Sequence, residues 1–376
     1  MIETQEIIDS IALTRISFYN LTGMLELYRR LGSASEVLSH HAHIRDVLPE
    51  ASPRLVEAFR DISEPLRRAQ IEYEWDMANH VTPLCLADPR YPERLRHCPD
   101  APLVLYYKGS ADLNQAKVIN IVGTRRCTAY GQDIVRRFLT DLKQRCPQVL
   151  VVSGLAYGID ICAHRQALAN GYETVGVLAH GLDDLYPPRH RATAEEMIRQ
   201  GGLLTEFMTN TNADKMNFVR RNRIVAGLCD ATLLVESAPK GGGLITCEIA
   251  QGYGRDVFAF PGPVGAESSR GCNNLIRDNG AALISDAADF VHAMGWDDDR
   301  QRLSARQTGI ERQLFPQLSA EEQRVVDALR ANNDLQINLL TVKTALPVPT
   351  LTATLFSLEM KGVVRSLAGG IYHLIN

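Results

Sequence analysis

The sequence predicts an α/β protein organised on a parallel sheet, with small helical units at both ends. Three observations carry this. Between residues 118 and 284, short apolar runs recur that are rich in β-branched residues and flat in periodicity: VINIV, VVS, TVGV, LLVE and DVFAF. Such runs suit strands buried on both faces. Each run is followed by small or polar residues and then by a helix-like stretch, the order of a sheet covered by helices. Finally, Gly, Arg, Asn and His gather where these strands end, and ligands bind there on such sheets.

Length and composition set the outer bounds. The chain has 376 residues, enough for two or three domains, and 45% of them are hydrophobic, ordinary for a globular protein. No apolar run reaches 18 residues, so no membrane span is expected. MIETQEIIDSIALTR has early acids and no basic segment, unlike a secretory signal. The 8 cysteines are scattered without a CxxC, which argues against a metal site or a disulfide framework and for a reducing cytoplasm. A net charge of −4 excludes a protein that coats nucleic acid with its whole surface, but not one with a local basic site.

Taken in order, residues 1–78 read as small helices. Ile7, Ile8, Ile11 and Ala12 share a face, and Gly32 suits a helix end. Ser33 with Glu36 makes a capping-box pattern, and Ser52-Pro53 an N-cap and first turn. This segment is either a packing module or a nucleic-acid-binding helical hairpin, and it lacks a dense basic cluster. Residues 79–296 form the central domain, entered through a proline-rich stretch and a predicted edge strand at Leu103–Tyr107. Residues 297–318 read as a charged linker. Residues 319–376 read as three helices and a hairpin around Gly369-Gly370, a winged-helix pattern, with a capping box at Ser319 and Glu322. The third helix, Thr350–Lys361, would be the one to enter a DNA groove. Its expected exposed face, Thr350, Thr352, Thr354, Ser357 and Lys361, is polar but hardly cationic, which leaves DNA binding and protein docking both open.

Several loops of the central domain carry residues suited to chemistry. Gly123, after a buried strand, lets the chain turn with positive φ and lets a phosphate approach. With a helix starting near Gln132, its free N–H groups would favour an anion, Thr124 can donate a hydroxyl bond and Arg125 can grip a phosphate. Asp160 and His164 lie one turn apart, as a catalytic pair or as a structural tether. His180 and Glu206 end strands, and either fits a general acid or base, but no activated nucleophile is visible beside them. KMNFVRRNR, residues 215–223, is the densest basic stretch. Arg220, Arg221 and Arg223 cannot share one helical face, and Phe218 offers a ring on which a base can stack. Lys240-Gly241-Gly242-Gly243, leading to Thr246, makes a second helix start receptive to anions. The lysine precedes the glycines, so this is not a Walker motif.

Taken together, VGTRRCTAYG, SGLAYGIDICAH, GLDDLYPPRH, RNRIVAGL, GGGLITCEIA, GRDVFAFPGP and GCNNLIRDNGA resemble the DNA-processing protein A (DprA/Smf) family. The resemblance implies an N-terminal SAM-like helical domain, an extended Rossmann-like domain with a parallel or mixed sheet, and a C-terminal winged-helix domain. It implies single-stranded DNA as ligand, dimerisation through the Rossmann domain, and loading of the RecA recombinase during natural transformation, with no enzymatic step, cofactor or metal. The family's phosphate-gripping loop matches Gly123, Thr124 and Arg125. Its basic pocket block matches Arg221, Asn222 and Arg223, and its glycine-rich helix start matches Gly241, Gly242, Gly243 and Thr246. KGGGLITC lacks a serine usual there, which leaves that contact to backbone N–H groups and Lys240. The expected binding set is therefore these residues plus Phe218. The alternative is an enzyme: GGGLITCE resembles the glycine-rich loop of LOG-type nucleotide phosphoribohydrolases, where Glu248 would assist cleavage and Arg223 would hold the phosphate.

Overall fold

The β-branched runs do form strands, and they assemble into one mixed sheet. The computed structural model describes residues 3–16, 21–296, 318–367 and 370–375. The expected linker therefore lies outside the described residues, apart from Leu318, and so does Gly369. The chain divides into two compact units, Met1–Arg300 and Gln301–Asn376.

Among the described residues, the first unit opens with the α-helices α1 (Thr4–Ile16), α2 (Leu21–Leu31), α3 (Ala34–Ser39), α4 (Ile44–Val47), α5 (Pro53–Phe59) and α6 (Ser63–Ala78). Their ends follow the sequence signals. Gly32 has φ +86°, Ser33 caps α3 by accepting from the Glu36 amide at 3.1 Å, and Ser52 caps α5 by accepting from the Leu55 amide at 3.2 Å. Glu36 does not complete the box; Glu6 of α1 instead takes the next free amides of α3, those of Ala34 and Ser35, at 2.7 and 3.0 Å.

The sheet follows: β1 (Thr82–Cys85), α7 (Glu93–Arg96), β2 (Val104–Gly109), β3 (Val118–Val122), α8 (Ala129–Arg145), β4 (Leu150–Ser153), α9 (Ile159–Ala169), β5 (Thr174–Val177), α10 (Arg191–Arg199), β6 (Gly201–Thr205), α11 (Lys215–Gly227), β7 (Ala231–Leu234), α12 (Gly242–Gly252), β8 (Asp256–Ala259), α13 (Glu267–Arg277), β9 (Ala282–Leu283) and α14 (Ala287–Ala293). The strand order is β1-β2-β6-β5-β4-β3-β7-β8-β9. In this sheet β1–β2 and β2–β6 pair antiparallel, and every pairing from β6–β5 onward to β8–β9 is parallel. The edge strand differs from the expectation. Leu103–Tyr107 lies one strand in, between β1 and β6, and β1 is the edge. Pro83 explains the choice, because proline cannot donate to a second neighbour and is tolerated at an edge.

The order reverses at β3, whose neighbours β4 and β7 are both parallel to it and lie in opposite chain directions. The loops after β3, β4 and β7 thus surround one crevice beyond the strand ends. The core is continuous from Ile11, Leu13 and Met24 in the first helices to Leu84, Leu105, Val175 and Leu204 in the sheet. The opposite face packs Ile119, Phe138, Leu139, Val151 and Phe290.

The second unit contains α15 (Ala320–Ala331), β10 (Leu335–Gln336), α16 (Ile337–Thr344), α17 (Val348–Met360), β11 (Val364–Leu367) and β12 (Ile371–Leu374), with strand order β10-β12-β11. This is a winged helix, and the Ser319–Glu322 capping box is present. The exposed face of α17 differs from the expectation. Thr354 is buried, and Ser357 and Lys361 bond to Glu322, both at 2.7 Å. After the exposed Val348 and Pro349 of its first turn, α17 presents Thr352, Ala353, Phe356, Glu359 and Met360 to solvent.

Candidate nucleic-acid interface

A cleft of about 590 Å³, open to solvent, lies at the ends of β3, β4 and β7. Gly123, Thr124 and Arg125 form one wall and Gly241, Gly242, Gly243, Ile245 and Thr246 a second. The third is a face of α11 carrying Lys215, Phe218, Val219 and Asn222, with Arg221 at its base. Residues 215, 218, 219 and 222 recur at helical spacing, so one face of α11 meets the cleft.

The first wall is held by backbone bonds on both sides. The Thr124 amide donates to the Glu236 carbonyl at 2.7 Å, and the Ile159 amide donates to the Thr124 carbonyl at 3.1 Å. Gly123 does not have positive φ, contrary to the expectation. A side chain is excluded there because its Cβ would lie 2.6 Å from Ile159 Cγ1 and 2.9 Å from the Glu236 carbonyl oxygen. Arg125 is exposed, and its guanidinium carbon stands 4.7 Å from the centre of the Phe218 ring. Tyr186 meets the same ring in a tilted arrangement at 5.8 Å. Phe218 therefore carries a guanidinium in this structure, a contact worth about 0.5–1 kcal/mol at an exposed site.

The two helix starts expected to attract anions differ. Helix α8 begins at Ala129, three residues before the expected Gln132, with Thr128 as its cap. Its start is already occupied: the Glu236 carboxylate accepts the Thr128 amide at 2.8 Å and the Thr128 hydroxyl at 2.7 Å. Helix α12 has Gly241 as its N-cap with no side-chain bond, and Gly242 and Gly243 line the cleft. Its first amides and the positive end of its dipole face that space. A Cβ at Gly243 would lie 2.7 Å from Leu234 Cδ1, so this glycine lets α12 approach the sheet.

The arginines of α11 are less available than their density suggested. Arg221 is buried, and its guanidinium donates to the carbonyl of Gly154 at 2.6 Å and to that of Val177. Burial pulls its pKa down to about 10 and Asp160 opposes the shift, so the side chain stays cationic at neutral pH. Its charge reaches the cleft while its N–H groups tie α11 to β4 and β5. Arg223 is placed elsewhere than the expectation put it. It lies outside the cleft lining, buried, in an ion pair with Glu206 and donating to the Asp100 carbonyl. Arg220 pairs with the same carboxylate at 3.2 Å. Lys240 is exposed beside Gly241 but is not among the cleft-lining residues.

The candidate acid–base groups are structurally committed. The Gly154 amide donates to Asp160 at 3.1 Å, and burial raises the Asp160 carboxyl above its usual range against the pull of Arg221. His164 is fully buried with Nδ1 2.7 Å from the Thr174 hydroxyl, and burial drives its pKa down to about 3. His180 uses both ring nitrogens, Nδ1 at 2.8 Å from the Gly181 carbonyl and Nε2 accepting the Tyr186 amide at 3.1 Å. These partners place the proton on Nδ1. Glu248 is exposed on α12 and does not line the cleft, so it does not share a site with Arg223 as the hydrolase alternative required. Sequence reasoning passed over Lys215, Val219 and Ile245, although the helical spacing 215–218–222 contained the signal for the first. It also passed over Glu236.

Comparison with known proteins decides the family. The DNA recombination-mediator protein A family model matches residues 82–295, and the DprA winged helix domain model matches residues 311–370. The chain belongs to the DprA family. It is 38% identical to DNA processing protein DprA of Streptococcus pneumoniae over 55% of this chain and 72% of that one. It is 32% identical to Protein Smf of Escherichia coli over 87% of each. The X-ray structure of the pneumococcal DprA superposes with a TM-score of 0.58 at 30% identity, covering 72% of this chain and 97% of that one. A structure of DNA processing protein A from Helicobacter pylori, described for its single-stranded DNA binding mode, gives a TM-score of 0.52 at 27% identity over 58% and 96%. This DprA family chain thus combines a Rossmann-like sheet with a winged helix. Among the described residues, no single helix is long and apolar enough to cross a membrane.

Proposed function

We propose that this chain holds single-stranded DNA in the β3–β4–β7 cleft, without reading its sequence and without cutting it. The observation that carries the reading is the convergence on one cleft of Arg125, Lys215 and the uncapped start of α12. Arg125 and Lys215 are exposed and take phosphates as fork and point charges, while the amides at Gly242 and Gly243 donate to a third phosphate. Arg221 adds positive potential from below. Asn222 and Thr246 supply polar contacts, and Val219, Ile245 and the Phe218 ring supply apolar surface for bases. Contacts to phosphate carry no sequence information, which suits a strand of any sequence. Neutralising about three phosphates gives a salt slope near −2, modest for one copy. We assign the larger role accordingly: two copies associate through the sheet-bearing unit, hold one strand at two clefts, gain affinity through effective concentration, and hand the strand to a RecA-type recombinase during transformation in the cytoplasm.

The test is a titration of oligothymidylate against the full chain at several salt concentrations. Arg125→Ala and Lys215→Ala are each expected to lower affinity and to reduce the slope by about 0.7. Wild-type affinity and slope in both variants would overturn the reading.

A further inference from the structure

Arg125 lies on an irregular segment between β3 and α8, and a cation on such a segment grips a phosphate only as well as the segment is held. One residue holds it on both sides. Glu236 lies two residues past the end of β7 and is 1% exposed. Its backbone carbonyl accepts the Thr124 amide at 2.7 Å, immediately before Arg125. Its carboxylate accepts the Thr128 amide at 2.8 Å and the Thr128 hydroxyl at 2.7 Å, three residues after Arg125. The surroundings are cut to fit this carboxylate: a Cβ at Gly131 would collide with it. The carboxylate also sits at the first turn of α8, where the helix dipole favours an anion. The start of α8 is thus filled by the protein's own negative charge, and the start of α12 is the one left to the ligand.

We propose that Glu236 is the positioning residue for Arg125, a latch that pre-organises the phosphate-gripping segment. This rests on the reading of the cleft as a single-strand site. Glu236 touches no phosphate; it acts by keeping residues 124–128 in one conformation, so that binding does not have to order them. Losing the carboxylate frees the 128 end while the backbone bond at 124 remains, and Arg125 then samples positions away from the cleft.

The experiment is a double-mutant cycle on the full chain, read by oligothymidylate affinity and salt slope. The variants are Glu236→Ala, Thr128→Val, Arg125→Ala and the pair Glu236→Ala/Arg125→Ala. Circular dichroism checks folding, and Thr128→Val, which keeps the carboxylate and replaces by a methyl the hydroxyl that donates to it and caps α8, decides the matter if Glu236→Ala does not fold. The expected result is that Glu236→Ala and Thr128→Val each lose a large part of the affinity lost in Arg125→Ala, with a slope lower by up to about 0.7. The double variant should bind no worse than Arg125→Ala alone. Without DNA, amide exchange should quicken over residues 124–128 and stay unchanged in the sheet. Folded latch variants with wild-type affinity, or losses that multiply in the double variant, overturn the latch and leave the cleft reading standing. An Arg125→Ala variant with no defect removes both.

Discussion

The cleft of the first unit and helix α17 of the second both have the outline of a nucleic-acid contact, and they are finished differently. In the cleft, backbone amides and exposed cations meet: Arg125, Lys215 and the start of α12. On α17, Lys361 is drawn aside to Glu322, and the outward side chains are led by Phe356 and Met360, 65% and 74% exposed. A winged helix that reads a groove needs phosphate-neutralising cations near its third helix. This helix offers apolar surface and one carboxylate, Glu359, which already accepts the Ser366 amide at 3.2 Å. Topology supplies the place for a ligand, and the side chains at that place supply its chemistry.

The contrast can be pressed first where a cation was expected in the cleft and found in the core. Glu206→Ala leaves Arg223 buried without its carboxylate, and removing one partner of a buried pair costs about 3–5 kcal/mol. Denaturant unfolding of the sheet-bearing unit should show this loss, and an unchanged midpoint would return Arg223 to the list of DNA contacts.

The two units should also respond oppositely to pH. Asp76 of α6 is buried with neither carboxyl oxygen hydrogen-bonded, and burial, then Glu72, push its pKa up to about 8 against Arg68. Folding therefore favours the protonated form. That contribution is complete below about pH 4, the unfolded value, and fades as pH rises to about 8. Asp76→Asn should flatten the alkaline fall of the first unit by up to a few kcal/mol, read as the unfolding midpoint between pH 5 and 9. In the second unit, Lys361, the Ser319 amide and Ser357 hold the Glu322 carboxyl down to about 2. Its contribution is present above about pH 4.5 and is lost as pH falls through 2. Glu322→Gln should flatten that acid loss, a smaller effect, measured from pH 2 to 6. The smallest change is expected from Phe356→Ser with Met360→Ser, which should leave single-strand affinity and salt slope at wild-type values in the titration. A lower slope there would bring α17 into the DNA contact.

The sequence revealed this site where the signal was local. The strand runs, the glycines before α12 and the caps at Ser33, Ser52 and Ser319 depend on neighbours a few residues away, and all stand where the pattern put them. The period of α11 was also there to be read, with Lys215, Phe218 and Asn222 on one side. Long-range pairing was not. Arg223 looked free because its partner, Glu206, sits 17 residues earlier, just past the end of β6. The start of α8 looked open because the carboxylate that fills it is 108 residues away. Both misreadings have one physical origin: charge density along a chain does not record which charges the fold neutralises.

The continuous core under β1 and β2 bears on how this protein can be cut. Ile11 and Leu13 belong to the same apolar mass as Leu84 and Leu105, so the opening helices act as a lining for one side of the sheet. A fragment begun at residue 79 would turn that side of the strands to water, next to an outer strand guarded by a single proline. Such a fragment should come out of cells as aggregate, whereas one ended near residue 296 should remain in solution.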